Sequence, residues 1–118
     1  LRDKLSSQFL YTSWKRFRKY NAYATGITQN VQDCLSNDTA YAMLANSEFV
    51  CMLRQTKDID SVVELYGLSD PQKNYLKLAK PGQGILKMGN NLIPFVNDHP
   101  TNTKIYRLLT TKPGEMEN

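Results

Sequence analysis

The chain has 118 residues, a length that makes one domain or part of one. Hydrophobic residues form 41% of the sequence, which is enough for a core. No segment approaches the roughly 20 consecutive apolar residues of a membrane span. The formal net charge of +4 permits an anionic partner such as nucleic acid or a phosphate ligand, but many unrelated proteins carry as much.

We expect no signal peptide at Leu1 to Lys4, because these residues lack an apolar h-region. It also lacks a starting Met, so we expect the chain to be part of a longer one. Cys34 and Cys51 form no CxxC pair and have no neighbouring His, which excludes the usual metal spacings. We interpret both cysteines as small buried hydrophobic residues in a reducing cytoplasm.

The first third of the chain predicts a helix, a strand and a helical turn. Residues 3–20 form a basic amphipathic pattern that Asn21 can end. Tyr23–Thr28 is short, rich in strand formers and bounded by turn residues, which favours a strand. About one helical turn is expected over residues 31–35.

The next segments favour a parallel sheet. Asp38 is a good N-cap for a helix over Thr39–Ala45, which Asn46 can end. Phe49–Leu53 is a continuous apolar run, typical of a strand buried on both faces of a parallel sheet. With the strand at 23–28, it predicts a right-handed βαβ unit.

The second half predicts two helices and a hairpin. Apolar residues recur at helical spacing over 59–66, before Gly67, and Ser69-Asp70-Pro71 can begin a second helix that runs to about residue 79. A β-hairpin is expected over Gln83–Met88 and Leu92–Val96, around Gly89-Asn90-Asn91, with Pro94 marking an edge strand. A short element of uncertain type follows over 103–109, and 110–118 is expected to be a flexible tail.

Gln29 is the first candidate for chemistry, since it follows the first predicted strand. In parallel α/β proteins, ligands bind outside the carboxyl ends of the strands. An amide there can accept a hydrogen bond from an attacking water and donate one to a phosphate oxygen, which positions the water for in-line attack. The alternative is a glutamine that satisfies backbone groups at the strand end.

Arg18 is the second candidate. Its guanidinium offers a planar fork of donors suited to phosphate, and from a neighbouring subunit it could stabilise charge during phosphoryl transfer. The alternative for the basic residues of this helix is a solvated face, which we favour for Lys15 and Lys19. Arg18 lies one turn beyond Trp14, nearer the buried side and the helix end.

Arg54 is a third candidate, for nucleotide binding. With Gln55 and Lys57 it follows the second predicted strand, so we expect it at the same sheet edge as Gln29, although a surface loop is the alternative. His99 lies between Asp98 and Pro100 without a catalytic partner, and we interpret it as a surface histidine.

Several stretches together resemble one family, the ATPases of type IV secretion and conjugation. They are the Arg18-Lys19 pair followed by a strand and Gln29, then TAYAMLANSEFVCMLRQ, DPQKNYLKLAKPGQGILKMGNNLIPF and TTKPGE. The resemblance covers nearly the whole chain. It implies a partial RecA-like P-loop NTPase fold, in which a parallel sheet is flanked by helices and a hairpin lies near the C-terminus. It also implies that Gln29 is a sensor glutamine and Arg18 an arginine finger.

The sequence departs from the family in one important respect. It has no GxxxxGK[ST] motif, and Gly82-Gln83-Gly84 lacks the following Lys-Ser/Thr. It also lacks an apolar run ending in Asp-Glu. In the family, these Walker A and Walker B motifs would lie upstream of Leu1. Residues 1–118 would then be the C-terminal part of the motor domain, inactive alone.

The resemblance further implies ATP and Mg²⁺ as cofactors of the full-length parent. The implied partners are other subunits of a hexamer, components of the secretion machinery, and DNA. The implied location is cytoplasmic, at the inner face of a bacterial membrane. Two alternatives stay open: a RecA-like motor that translocates DNA directly, and a non-catalytic α/β interaction module.

Overall fold

The computed structural model describes residues 4–111, except the side chains of Lys4 and Arg18. Within this range the chain forms six α-helices, one 3₁₀ turn and three strands. The helices are α1 (Lys4–Arg16), α2 (Val31–Leu35), α3 (Asp38–Ala45), α4 (Ile59–Tyr66), α5 (Asp70–Leu78) and α6 (Lys104–Leu109). The 3₁₀ turn is Phe17–Tyr20, and the strands are β1 (Phe49–Leu53), β2 (Gln83–Met88) and β3 (Asn91–Val96).

The three strands form one antiparallel sheet in the order β1-β2-β3. The register places Met52 opposite Ile85 and Leu86 opposite Ile93. Because side chains alternate between the two faces of a sheet, Met52 and Ile85 share the inner face, which is covered by helices, and Leu86 lies on the other face.

The core lies between the inner face of the sheet and helices α4 and α5. Its buried residues are Met52, Ile59, Val62, Leu68, Leu76 and Ile85. Helix α5 packs on β2, helix α4 contacts α5, and α2 contacts α4. Helix α1 packs against α3, and both helices precede the sheet in the sequence.

Gly84 allows the three strands to approach closely. A Cβ atom at this position would lie 2.3 Å from the carbonyl oxygen of Met52 and 3.0 Å from the ring of Phe95. Real Cβ atoms do not come this close to a backbone oxygen, so glycine is required where β2 passes between β1 and the Phe95 ring.

Short polar side chains begin several helices. The side chain of Asn30 caps α2 and that of Asn37 caps α3, where the sequence had favoured Asp38. Gln72 Oε1 accepts a hydrogen bond from the backbone N–H of Ser69 at 2.8 Å, which ties the start of α5. Gly67 ends α4 in the left-handed conformation at φ 64°, as its position predicts.

The predicted hairpin and the two helices before it are confirmed. The hairpin turn comprises Gly89 and Asn90, and Pro94 lies in an edge strand. The fold class is confirmed as α/β, with a three-stranded antiparallel sheet and helices.

The strand predicted over residues 23–28 is wrong. These residues form an exposed loop that pairs with no strand of the described chain. The parallel βαβ unit is therefore not found, and β1 pairs with β2 in the antiparallel sense. The alternating exposure of β1 also differs from a strand buried on both faces.

The cysteines are less buried than expected. Cys34 is half-buried. Cys51 is exposed, because it lies on the face of β1 that no helix of the described chain covers. Of the predicted tail, residues 112–118 lie outside the described part of the chain. None of the helices in residues 4–111 has the length and apolar character needed to cross a membrane.

We expect Leu76→Ala to lower the free energy of unfolding by about 2–5 kcal/mol, because it removes a side chain that is 0% exposed from the centre of the core. Leu78→Ala, on the same helix, is the matched control, since Leu78 is 80% exposed and its loss should cost far less. Urea unfolding of both variants measures the difference. Equal losses of unfolding free energy in the two variants would show that Leu76 does not lie at the centre of the core.

Candidate functional site

Arg18 lies in the 3₁₀ turn that follows α1. Asn21 ends this helical segment in the left-handed conformation at φ 52°, and the Ala22 N–H donates to the Phe17 carbonyl at 3.0 Å. The helical segment therefore ends three residues after Arg18. The backbone position of Arg18 is thus defined, while its side chain lies outside the described part.

Trp14 holds the next segment against α1. A methyl group at Gly26 would lie 3.5 Å from Cη2 of the Trp14 ring, an ordinary van der Waals distance. The exposed loop after Asn21 therefore folds back over the last turns of the helix. This contact brings the stretch before Gln29 near α1, the helix that precedes Arg18.

Gln29 lies at the tip of a tight turn. The backbone N–H of Asn30 donates to Thr28 Oγ1 at 3.2 Å, and Thr28 Oγ1 donates to the Asn30 carbonyl at 3.0 Å. Asn30 Oδ1 then accepts from the Gln32 N–H at 3.1 Å and begins α2. These local bonds fix the backbone on both sides of Gln29. Its exposed side-chain amide has no hydrogen-bond partner within residues 4–111.

Arg54 is exposed in the loop after β1. The next residue anchors this loop, since the Gln55 N–H donates to the Leu76 carbonyl at 3.3 Å. Asp58 lies at the start of α4 with φ 54°, a left-handed conformation that non-glycine residues rarely adopt. Arg54 is thus presented to solvent by a loop that is attached to the core.

The three candidates lie at different places in the fold: Arg18 in the 3₁₀ turn after α1, Gln29 in the turn before α2, and Arg54 in the loop after β1. The expectation that Gln29 and Arg54 share the carboxyl edge of a parallel sheet is wrong for the described chain, because the residues before Gln29 join no sheet.

A surface ion pair joins the two helices of the inner layer. Lys73 Nζ on α5 donates to Asp60 Oδ1 on α4. This hydrogen bond and the positive charge of Lys73 lower the pKa of Asp60 below its ordinary value. The same hydrogen bond and the negative charge of Asp60 raise the pKa of Lys73. Both groups are solvent-accessible, so the pair orients the helices and adds little stability.

Tyr66 connects α4 with α3 and β2. Its hydroxyl donates to the Leu44 carbonyl at 3.4 Å, and Lys87 Nζ lies 5.9 Å from the centre of its ring. Lys87 Nζ also donates to the Ser47 carbonyl at 3.2 Å. Burial, and then the proximity of Cys34, raises the pKa of the Tyr66 phenol from 10.0 to about 12.

A small open depression of about 240 Å³ lies beside α6 and is lined by His99, Ile105, Tyr106, Leu109 and Thr110. His99 stacks on Tyr106 with ring centres 6.3 Å apart, and its Nε2 lies 3.1 Å from Thr103 Oγ1. The single imidazole is exposed, as expected for a surface histidine. Nowhere in the described chain do three or more His, Cys, Asp or Glu side chains converge as metal ligands.

The chain is similar in structure to a known protein. No protein-family model matches the chain, and no curated protein sequence matches it. Among solved structures, the chain is similar to VirB4 of Thermoanaerobacter pseudethanolicus, with a TM-score of 0.74 and 31% sequence identity. The match covers 81% of this chain and 27% of the VirB4 chain.

The family resemblance drawn from the sequence is confirmed. The chain is similar to a C-terminal portion of VirB4, an ATPase of type IV secretion. It spans about a quarter of the length of that relative, since 27% of the VirB4 chain is covered.

Sequence reasoning missed the contacts that position the candidate segment. The packing of Trp14 on Gly26 joins residues twelve positions apart, and no local sequence pattern predicts it. The Thr28–Asn30 turn could have been found, because Thr and Asn side chains often bond to nearby backbone groups.

We expect Tyr66→Phe to remove an alkaline component of the pH dependence of stability. The folded state holds the Tyr66 proton more tightly than the unfolded state, so this contribution is complete below pH 10.0 and is lost as the pH rises to about 12. The free energy of unfolding, measured across this range, should fall more steeply in the wild type than in Tyr66→Phe. Tyr20→Phe, at an exposed position, should keep the wild-type slope, and equal slopes in all three proteins would contradict the assignment.

Proposed function

We propose that this chain is the part of a type IV secretion ATPase that contributes accessory groups to ATP hydrolysis. The observation that carries the proposal is the similarity to VirB4, which extends over 81% of the chain at 31% identity. The order of the motifs Arg18-Lys19, Gln29 and Arg54 along the chain supports it. In this proposal, hydrolysis by the longer protein energises transport through the secretion apparatus.

Gln29 orients the attacking water or senses the terminal phosphate in this proposal. Its exposed amide and its position at the tip of a hydrogen-bonded turn support this role, because a fixed backbone reduces the freedom that the side chain loses on binding. The amide can accept from the water and donate to a phosphate oxygen at the same time.

Arg18 acts as an arginine finger on the nucleotide of a neighbouring subunit. Its place in the 3₁₀ turn that ends the first helical segment, one helical turn after Trp14, supports this role. A permanently charged guanidinium would stabilise the charge that develops on the transferred phosphoryl group. Arg54 would bind nucleotide from the exposed loop after β1.

These residues supply donors for phosphate but no phosphate-binding loop, since the sequence has no GxxxxGK[ST] motif. They also offer no ligand cluster for Mg²⁺ within the described range. ATP and Mg²⁺ would therefore be held by Walker motifs in other parts of the longer protein. Mg²⁺ would neutralise phosphate charge there, while Gln29 and Arg18 approach the terminal phosphate.

The quaternary and cellular setting follows from the same proposal. The antiparallel sheet would be one end of a RecA-like parallel sheet, and the parent would act as a hexamer. It would work in the cytoplasm at the inner face of a bacterial membrane, with components of a conjugation or secretion apparatus.

A motor that translocates DNA directly is the second candidate. It is favoured by the charge of residues 4–32, which include five basic and no acidic residues. Stimulation of hydrolysis by DNA would distinguish this motor from the secretion ATPase. ATP binding by the longer protein would exclude a non-catalytic interaction module.

In an ATPase polypeptide that contains this chain, we expect Gln29→Ala to leave ATP affinity largely intact and to lower turnover sharply. The physical reason is that a group which acts on the water affects the transition state more than the bound ground state. Gln32→Ala, an exposed glutamine one turn further along, is the matched control and should keep full turnover. Unchanged turnover of Gln29→Ala at saturating nucleotide would remove Gln29 from the mechanism.

We expect the loss of Arg18 to be rescued by mixing subunits. Arg18→Ala with an intact P-loop and a dead P-loop variant with intact Arg18 should each be nearly inactive, since a finger raises the rate about 10³–10⁵-fold. Mixed oligomers can join the intact P-loop to the intact arginine and should hydrolyse ATP. Lys15→Ala, at an exposed position near the end of α1, should stay active without mixing. If native mass spectrometry shows mixed oligomers that stay inactive, Arg18 does not act in trans.

A further inference from the structure

A charged side chain lies on the inner face of the sheet, beside the core. The strand register places Lys87 of β2 between Val50 of β1 and Leu92 of β3, and both of these neighbours pack against the buried cluster. Lys87 is the one charged residue that the described strands place on this face. A lysine can occupy such a position when its methylene stem packs on apolar neighbours and its ammonium reaches a polar group.

The ammonium of Lys87 binds the C-terminal end of α3. Its Nζ donates to the Ser47 carbonyl at 3.2 Å, two residues after the last residue of α3. No carboxylate in residues 4–111 forms an ion pair with it. Since the C-terminal end of a helix carries partial negative charge, the cation is stabilised there without an acidic partner.

Tyr66 of α4 holds the same helix end. Its hydroxyl donates to the Leu44 carbonyl in the last turn of α3 at 3.4 Å, and its ring packs against the core. Lys87 Nζ lies over this ring, 5.9 Å from its centre, where a cation is attracted to the aromatic face. One residue of the sheet and one residue of α4 therefore fasten α3 to the core, and we call Tyr66 and Lys87 the α3 clamp.

Helix α3 connects the clamp with the candidate residues. It contacts both α1 and α2. Arg18 lies in the 3₁₀ turn after α1, and Gln29 lies in the turn before α2. A displacement of α3 relative to the sheet would therefore shift the backbone around both candidates. A misplacement of about 1 Å is enough to lower the rate of a positioned reaction strongly.

We propose that Lys87, together with Tyr66, is a positioning residue for ATP hydrolysis, because the α3 clamp fixes the helices beside Arg18 and Gln29 to the sheet. This inference rests on the proposed function of those two residues. Lys87 contacts neither nucleotide nor water in this role and acts through α3. Its loss therefore affects turnover more than ATP affinity, since the Walker motifs of the longer protein hold the nucleotide.

The first experiment measures amide hydrogen exchange in the 118-residue chain by mass spectrometry. Lys87→Met keeps an unbranched stem without the ammonium, so protection of α2 and α3 should fall about tenfold while protection of α5 stays unchanged. Lys87→Arg keeps a cationic donor and should restore the protection. Lys80→Met, at an exposed position between α5 and β2, is the matched control and should exchange like the wild type. Unchanged protection of α3 in Lys87→Met, or an equal loss in α5, would overturn the clamp.

The second experiment measures turnover and ATP affinity in the longer ATPase polypeptide. Lys87→Met should lower turnover at saturating ATP at least about tenfold and change the affinity less than about twofold, and Lys87→Arg should recover most of the turnover. In a Gln29→Ala or an Arg18→Ala background, Lys87→Met should lower turnover much less, because residues that act through one another are not additive. Full additivity in both backgrounds would overturn the positioning role.

Together the two experiments separate this inference from the proposed function. Unchanged turnover of Lys87→Met in a protein in which Gln29→Ala lowers turnover would overturn the positioning role alone. Unchanged turnover of Gln29→Ala would contradict the proposed function, and a loss of protection confined to α2 and α3 in Lys87→Met would still support the clamp.

Discussion

The packing of α5 on β2 is the contact on which the rest of the fold depends. Leu76 and Ile85 are the fully buried side chains at its centre, and they join α5 to the sheet. The buried cluster that includes them has six members in the described chain, all contributed by residues 52–85. From the segment before β1, half-buried Val31 packs against this cluster, so we expect that segment to open locally at a lower free energy than the sheet and its two helices.

This division explains where the sequence was a good guide to the fold. Helices α4 and α5 and the hairpin depend on local signals, namely helical spacing, Pro71, and Gly67 and Gly89 at positive φ. Such signals operate within a few residues, and the structure confirms the elements they predict. Strand pairing is non-local, so neither the antiparallel partner of β1 nor the unpaired loop before Gln29 could be derived from periodicity.

The candidate site shows the same distinction. The turn around Gln29 is held by Thr28 and Asn30, whose side chains bond within two residues, and these bonds are readable in principle from the sequence. The packing of Gly26 on Trp14 is not, because it depends on how the loop returns over the helix. The order of Arg18, Gln29 and Arg54 therefore comes from the sequence, while their spatial relation depends on tertiary contacts.

Two of the errors of sequence reasoning have the same direction. Residues 23–28 have strand-forming composition but form an exposed loop, and FVCML has the composition of a doubly buried strand but exposes one face. In both places the sequence encodes more burial than the described chain provides. Strand propensity expresses how well a segment fits a half-buried pleated surface, and tertiary pairing decides whether that surface forms. Residues 23–28 find no pairing strand in the described chain, and β1 finds a helical cover on one face only.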